Sequence, residues 1–282
     1  MHEYSNYIDR VVVIESLRPS DTKTGEQLYR AVIRPEGAKR GLRASFETVR
    51  AKSEFFEHLR ILTDDCRANH HSPILHIECH GSADGLEIGG EFVGWREIKP
   101  YLMDLNVVSE LNLLVCLAAC SGANLVKVLS PIDRAPVWGL VGPKRRRTDR
   151  QLLRDYSAFY RLFISTQDGR AALEKLNHGP PSPAWAYAFA PAEWFFKRIY
   201  AEYLKVHASA AALGEREERI IAKVQVARRY SASELAKVRA DIRRRLADQE
   251  PFFQNFYRRF FMTDLLPGNA LRFPIAFSDV QS

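Results

Sequence analysis

Ile74-Leu75-His76-Ile77-Glu78-Cys79-His80-Gly81 is an apolar run that ends in a histidine and a glycine. A second run, Leu113-Leu114-Val115-Cys116-Leu117-Ala118, ends in Ala119-Cys120-Ser121-Gly122. Short apolar runs bounded by small turn residues read as buried strands. Each is followed at once by a turn and by a side chain able to do chemistry, one a base and the other a nucleophile. In the first strand His76 alternates away from Ile77 and reads as a hydrogen-bonded core residue, while Cys79 and Cys116 read as packing residues.

Outward from these runs, strand and helix alternate. Arg10 to Ser16 reads as a strand buried on both faces, because its apolar residues run together. A turn at Pro19-Ser20-Asp21 leads to a helix near Gly25 to Ile33, and Gly41 to Thr48 is a second strand. A helix follows from Ser53, its expected start, to Ala68. Gly85 to Gly94 reads as a hairpin turning on Gly89-Gly90. Trp95 to Leu105 is a helix interrupted or restarted at Pro100. The fourth strand, Leu111 to Ala118, leads into a helix over Gly122 to Leu129. Val137 to Val141 is a fifth strand ended by Gly142-Pro143, and Arg150 to Ile164 a long helix. Five alternations predict an α/β fold with a mostly parallel sheet flanked by helices. Ligands gather beyond the carboxyl ends of the strands in such sheets, where His80 and Cys120 both fall.

The Pro-rich stretch His178-Gly179-Pro180-Pro181-Ser182-Pro183 marks a change of character. Beyond it the chain reads as helices over Ala192 to Ala212, Glu215 to Tyr230 and Ser233 to Gln249, the last with Ser233 as N-cap. The aromatic run Phe252 to Phe261 is expected to dock on the α/β domain. Two parts follow: an α/β domain over 1–179 and a helical C-terminal region over 180–282.

The chain has 282 residues, 46% hydrophobic and 27% charged, so a sizeable core is affordable by length alone. No apolar run is long enough to span a membrane and no signal-like segment opens the chain, so a cytoplasmic location with no membrane partner is expected. The four cysteines, Cys66, Cys79, Cys116 and Cys120, lack the spacing of a zinc site or disulfide framework, and neither a metal nor another cofactor is expected. His70-His71 and His178 read as loop residues. The net charge of +7 comes from 41 basic and 34 acidic residues, and the basic ones are interleaved with acids in the C-terminal helices. That leaves no broad basic stripe, so nucleic acid is not the expected partner. Lys144-Arg145-Arg146-Arg147 is the densest basic cluster and reads as an exposed loop near the same sheet edge, while Arg243-Arg244-Arg245 marks a solvated helix face.

A free thiol is only a few per cent thiolate at neutral pH and needs an imidazole to take its proton. His80 supplies that imidazole, and the helix expected after Cys120 would favour the thiolate further. Gly81 leaves its N–H open to a developing oxyanion. The pair therefore points to acyl transfer, with Cys120 as nucleophile and His80 as base and then acid.

These blocks resemble the caspase-like cysteine peptidases (clan CD), and within them the prokaryotic CHAT-type branch. His76-Ile77-Glu78-Cys79-His80-Gly81 with Asp84-Gly85-Leu86 is similar to the branch's histidine block. Leu117-Ala118-Ala119-Cys120-Ser121-Gly122-Ala123-Asn124 is similar to its cysteine block. The forty-residue separation of His80 and Cys120 is near the caspase pattern of about 50. Val137-Trp138-Gly139-Leu140 and the helix holding Phe159-Tyr160 look like the strand and helix that follow. The resemblance covers about Arg10 to Asn177. It implies a caspase-haemoglobinase-like sheet, an endopeptidase acting on protein or peptide substrates, and a His80/Cys120 dyad. It further implies regulation by an activating protease or regulatory protein, as in bacterial defence or cell-death pathways, with the Lys144–Arg147 loop as a cleavage site. Ala118 stands where relatives carry a selecting side chain. Among candidate substrate-binding residues, Lys23 would favour an acidic P1 residue and Asp21 a basic one, with a lean to basic. The alternative is a catalytically silent scaffold of the same fold that recruits a partner through its C-terminal helices.

Overall fold

Val11-Val12-Val13-Ile14 is fully buried and forms the middle of β1 (Arg10–Ser16). β1 pairs in parallel with β2 (Arg43–Thr48) on one side and β3 (Pro73–Gly81) on the other. β3 pairs in parallel with β6 (Leu114–Ala118), and β6 with β7 (Gly139–Pro143). The sheet ends on β8 (Tyr187–Pro191), antiparallel to β7, so the order is β2-β1-β3-β6-β7-β8. A hairpin of β4 (Gly85–Ile88) and β5 (Glu91–Gly94) branches from the end of β3. This computed structural model describes residues 8–119, 122–144, 146–178 and 186–280.

The expected α/β fold with a mostly parallel sheet is therefore present, with one antiparallel edge. β8 is only five residues long, with two alanines and a proline beside its two aromatics, and follows the Pro-rich stretch, so its strand signal is weak. β3 runs two residues further than its apolar run, because His80 and Gly81 pair with Glu87 and Leu86 of β4. β7 includes Gly142 and Pro143 instead of stopping before them, since a proline at a strand end interrupts no ladder bond. The hairpin turns on Gly89 and Gly90 at φ +60° and +80°, and a Cβ on Gly89 would meet the Arg50 carbonyl oxygen.

The connections sort the helices onto two faces. From β1 the chain crosses to β2 through α1 (Thr24–Leu28), a π turn (Tyr29–Ile33) and α2 (Arg34–Lys39), a continuous helical run longer than the one expected. It then crosses the opposite way through α3 (Lys52–Asn69) and α4 (Trp95–Val108). Right-handed crossovers put these two sets on opposite faces. α5 (Asp149–Thr166) joins the α1 face, where Tyr156, Phe159, Tyr160 and Phe163 pack with Val11, Val13, Ile74 and Cys116 in one buried cluster. Ala51, not Ser53, is the N-cap of α3. α4 runs unbroken through Pro100, which lies on its exposed side. The helix expected over Gly122 to Leu129 is present as a seven-residue 3-10 helix, Gly122–Val128.

Contacts divide the chain into one unit of 1–129 with 134–192, and a second of 130–133 with 193–282. β8 thus completes the sheet of the first unit, and the division falls at 192/193 instead of 179/180. The first unit also holds α6 (Gly169–His178). The second unit is built on α7 (Ala192–His207), with α8 (Ala210–Ala227), α9 (Ala232–Ala247) and α10 (Glu250–Phe260). Ser231 caps α9 in a capping box with Glu234, where Ser233 was the expected cap. The aromatic run finds its partner on α7: Phe253 and Phe261 pack on Phe196, and Phe253 and Phe256 on Tyr200. Among the described residues, no helix is long and apolar enough to cross a membrane.

Candidate active site

β1 and β3 are neighbours whose onward connections leave in opposite directions, one to β2 and one to β6. That makes the space beyond their carboxyl ends the switch point of the sheet, where α/β folds open a crevice. His80 stands on one side of it and the loop after β1 on the other. His80 Nε2 lies 2.8 Å from Asp21 Oδ2. The same oxygen accepts from the Arg18 N–H at 2.9 Å. Arg18 reaches across to β4, donating from Nε and an Nη to the two Glu87 oxygens at 2.9 and 2.8 Å. Lys23 closes the loop by donating from Nζ to the carbonyls of Leu17 and Arg18.

Two shifts in acidity follow from this lattice. The hydrogen bond to His80 holds the Asp21 carboxyl below the usual range. The Arg18 hydrogen bonds do the same to Glu87. Both carboxylates are charged at neutral pH, on an edge where the His80 ring is 46% exposed.

Gly81 has a defined orientation as well. Ser82 N–H donates to the Gly85 carbonyl at 2.8 Å, which makes Ser82/Gly85 a bonded pair. Bonded and unbonded pairs alternate along an antiparallel ladder, so Gly81/Leu86 is unbonded and the Gly81 N–H turns away from β4. β4 itself lies on the β1 side of β3, tied there by Arg18–Glu87 and by Gly89 N–H donating to Ser16 Oγ at 2.8 Å. The Gly81 N–H therefore faces the β6 side. β6 and β3 are in register at Ala118 and Glu78. Cys120, the expected nucleophile, and Ser121 lie outside the described residues.

Behind His80, on the same face of β3, lies a buried polar chain of which only His76 stands out in the sequence. Thr24 Oγ1 donates to Glu78 Oε1 at 2.7 Å, Glu78 Oε2 lies 3.0 Å from His76 Nε2, and His76 Nδ1 lies 3.1 Å from the Tyr160 hydroxyl. Beside it on β1, Glu15 Oε1 accepts from the N–H groups of Gly25 and Glu26 at 2.9 and 3.1 Å, capping the first turn of α1. Burial pushes the Glu15 carboxyl above its usual range. The signal for this chain was present: His76, Glu78 and His80 recur at period two in an otherwise apolar strand, and Glu15 follows a run of valines.

The remaining candidates are placed as follows. Asp21 meets His80, while Lys23 is bonded to its own loop and Ala118 is buried beside Glu78. Cys66, Cys79 and Cys116 are buried free thiols. Burial pushes Cys66 up to about 11 and Cys116 up to about 12, and raises Cys79 as well. In the basic loop, Lys144 and Arg146 are exposed and Arg145 lies outside the described residues. Arg147 is not a free loop residue: its buried guanidinium donates to Asp155 Oδ2 at 2.6 Å, and Tyr187 donates to the same oxygen. His71 does lie in the loop between α3 and β3, where it is held between Asp9 and Arg43 at 2.6 and 2.7 Å. A scan against protein-family models finds no match for this chain, and a search of curated proteins finds none either.

Proposed function

We propose that this chain is a cysteine endopeptidase of caspase-like fold, with His80 as base and Cys120 as nucleophile. The observation that supports it most is the setting of His80: an accessible imidazole at the switch point of a parallel sheet, with one nitrogen bonded to a carboxylate. An imidazole held this way keeps one nitrogen for proton transfer. In the reaction His80 takes the proton of the Cys120 thiol, and the thiolate sulfur attacks the peptide carbonyl carbon. The tetrahedral oxyanion draws on the Gly81 N–H, a type of donor whose removal costs roughly 3–4 kcal/mol. The C–N bond then breaks as His80 returns the proton to the leaving amine. Water attacks the thioester with its proton passing to His80, and the acid leaves as that proton returns to sulfur.

The test is turnover of a fluorogenic peptide library that varies P1, by the wild type and by Cys120→Ala. Cleavage by the wild type and none by the variant is the expected result. Activity that survives Cys120→Ala overturns the assignment of the nucleophile. No cleavage by the wild type, even after limited proteolysis between Lys144 and Arg146, favours the silent scaffold.

A further inference from the structure

We propose that Asp21 is a positioning residue for His80, fixing its tautomer and ring orientation, instead of a reader of the substrate's P1 side chain. The inference rests on the peptidase reading for its reaction, but its geometry is independent of it. Asp21 Oδ2 is shared between His80 Nε2 at 2.8 Å and the Arg18 N–H at 2.9 Å. A carboxylate oxygen only accepts, so neutral His80 carries its proton on Nε2 and presents the Nδ1 lone pair as its basic site. The loop that carries Asp21 is held at each end. Arg18 is clamped to Glu87, the residue opposite His80 in the β3–β4 ladder. Lys23 is bonded back to the carbonyls of Leu17 and Arg18, and Glu15 caps the turn that follows. A basic P1 side chain would have to compete with His80 for the carboxylate, disarming the base it needs.

The proton balance is simple. Nδ1 takes the proton from the thiol, and the imidazolium that forms lies against the Asp21 carboxylate with Glu87 and Arg18 beside it. When the leaving amine takes the proton from Nδ1, the ring returns to its starting tautomer. Asp21 stays ionised throughout, which agrees with a carboxyl held below its usual range by the bond to His80.

Thiol labelling, read beside turnover, separates this inference from the peptidase reading. Iodoacetamide labelling of Cys120 is followed by peptide mass spectrometry across pH, in the wild type, Asp21→Asn, Asp21→Glu and His80→Gln. Cys66, Cys79 and Cys116 are buried, their thiols made weaker acids by that burial, and give a slow background. The wild type is expected to label rapidly near neutral pH. His80→Gln should lose that rapid phase, and Asp21→Asn should slow it about tenfold and shift its pH profile, with Asp21→Glu restoring part of the rate. In turnover assays Asp21→Asn should cut kcat about a hundredfold, as a misaligned base does, with KM and the P1 ranking unchanged. A changed P1 ranking with unaltered labelling overturns the proposal in favour of substrate reading. Labelling that depends on Asp21 in a protein that cleaves no peptide sinks the peptidase reading and leaves the positioning role standing. Cleavage that needs Cys120 but is indifferent to Asp21 does the reverse.

Discussion

β3 carries two histidines, His76 and His80, each with a carboxylate on Nε2, and the two pairs live in opposite surroundings. His76 and Glu78 are 0% and 4% exposed, enclosed by Thr24 from α1 and by Tyr156 and Tyr160 from α5. His80 and Asp21 are 46% and 23% exposed. His76, Glu78 and His80 share one face of β3, since side chains repeat with period two. What differs is where the covering helices stop. The inner pair joins three elements and holds the fold, whereas the outer one is left open for chemistry. Removing a partner inside should therefore destabilise the protein, and removing one outside should slow its reaction.

The largest effect is expected from Glu78→Ala. It leaves His76 Nε2 and the Thr24 hydroxyl buried without their acceptor, and opens a cavity beneath α1. Each buried donor left without its acceptor costs about 1–3 kcal/mol, and with two of them the loss is read as a lower urea midpoint. Asp21→Asn, by contrast, should cost less than about 1 kcal/mol, as exposed pairs do, while lowering turnover. If Asp21→Asn destabilises as much as Glu78→Ala, the division between an inner structural pair and an outer functional one is broken.

This division was half legible in the sequence. The apolar runs announced β3 and β6 and put His80 at the carboxyl edge, because buried parallel strands leave continuous apolar runs. The partner of His80 was not legible as a partner. Asp21 sits in a turn 59 residues away, and only the β1–β3 register brings that turn to the end of β3. A turn aspartate read alone suggests a free carboxylate, hence its assignment to the substrate. Arg18 and Glu87 carried no signal for the same reason: each looks like an ordinary exposed charge until the hairpin folds across the loop. β8 escaped because pairing, not composition, makes it a strand.

Tyr160→Phe sharpens the inner half of the comparison with a smaller perturbation. It removes only the hydroxyl that meets His76 Nδ1 and the Cys116 thiol, leaving the ring and its packing with Tyr156 and Phe159 in place. A buried group deprived of one partner loses about 1–2 kcal/mol. Stability by urea titration should fall by that amount, and labelling of Cys120 should be unchanged, since the hydroxyl belongs to the interior chain. A loss of labelling without a loss of stability would show that the inner chain reaches the outer histidine.

The smallest effect, and the one that separates the two environments by sign, is the pH dependence of stability. Glu15 is buried and its carboxyl is raised above its ordinary value of 4.5. As pH climbs through the window above that value, the unfolded chain gives up its proton before the folded one does, so stability falls with rising pH. Asp21 has the opposite shift: its carboxyl is held below 3.8. The unfolded chain takes up a proton first as pH drops through 3.8, so this contribution is full at neutral pH and lost on acidification. Glu15→Gln keeps an oxygen for the N–H groups of Gly25 and Glu26 but cannot ionise. It should flatten the wild-type decline above pH 4.5, and Asp21→Asn should flatten the loss below 3.8. Urea midpoints measured from pH 3 to 7 for the three proteins give both differences. Curves that bend the same way for both variants would mean that Glu15 is solvated like an edge residue, and that the helices do not seal the inner half of this face.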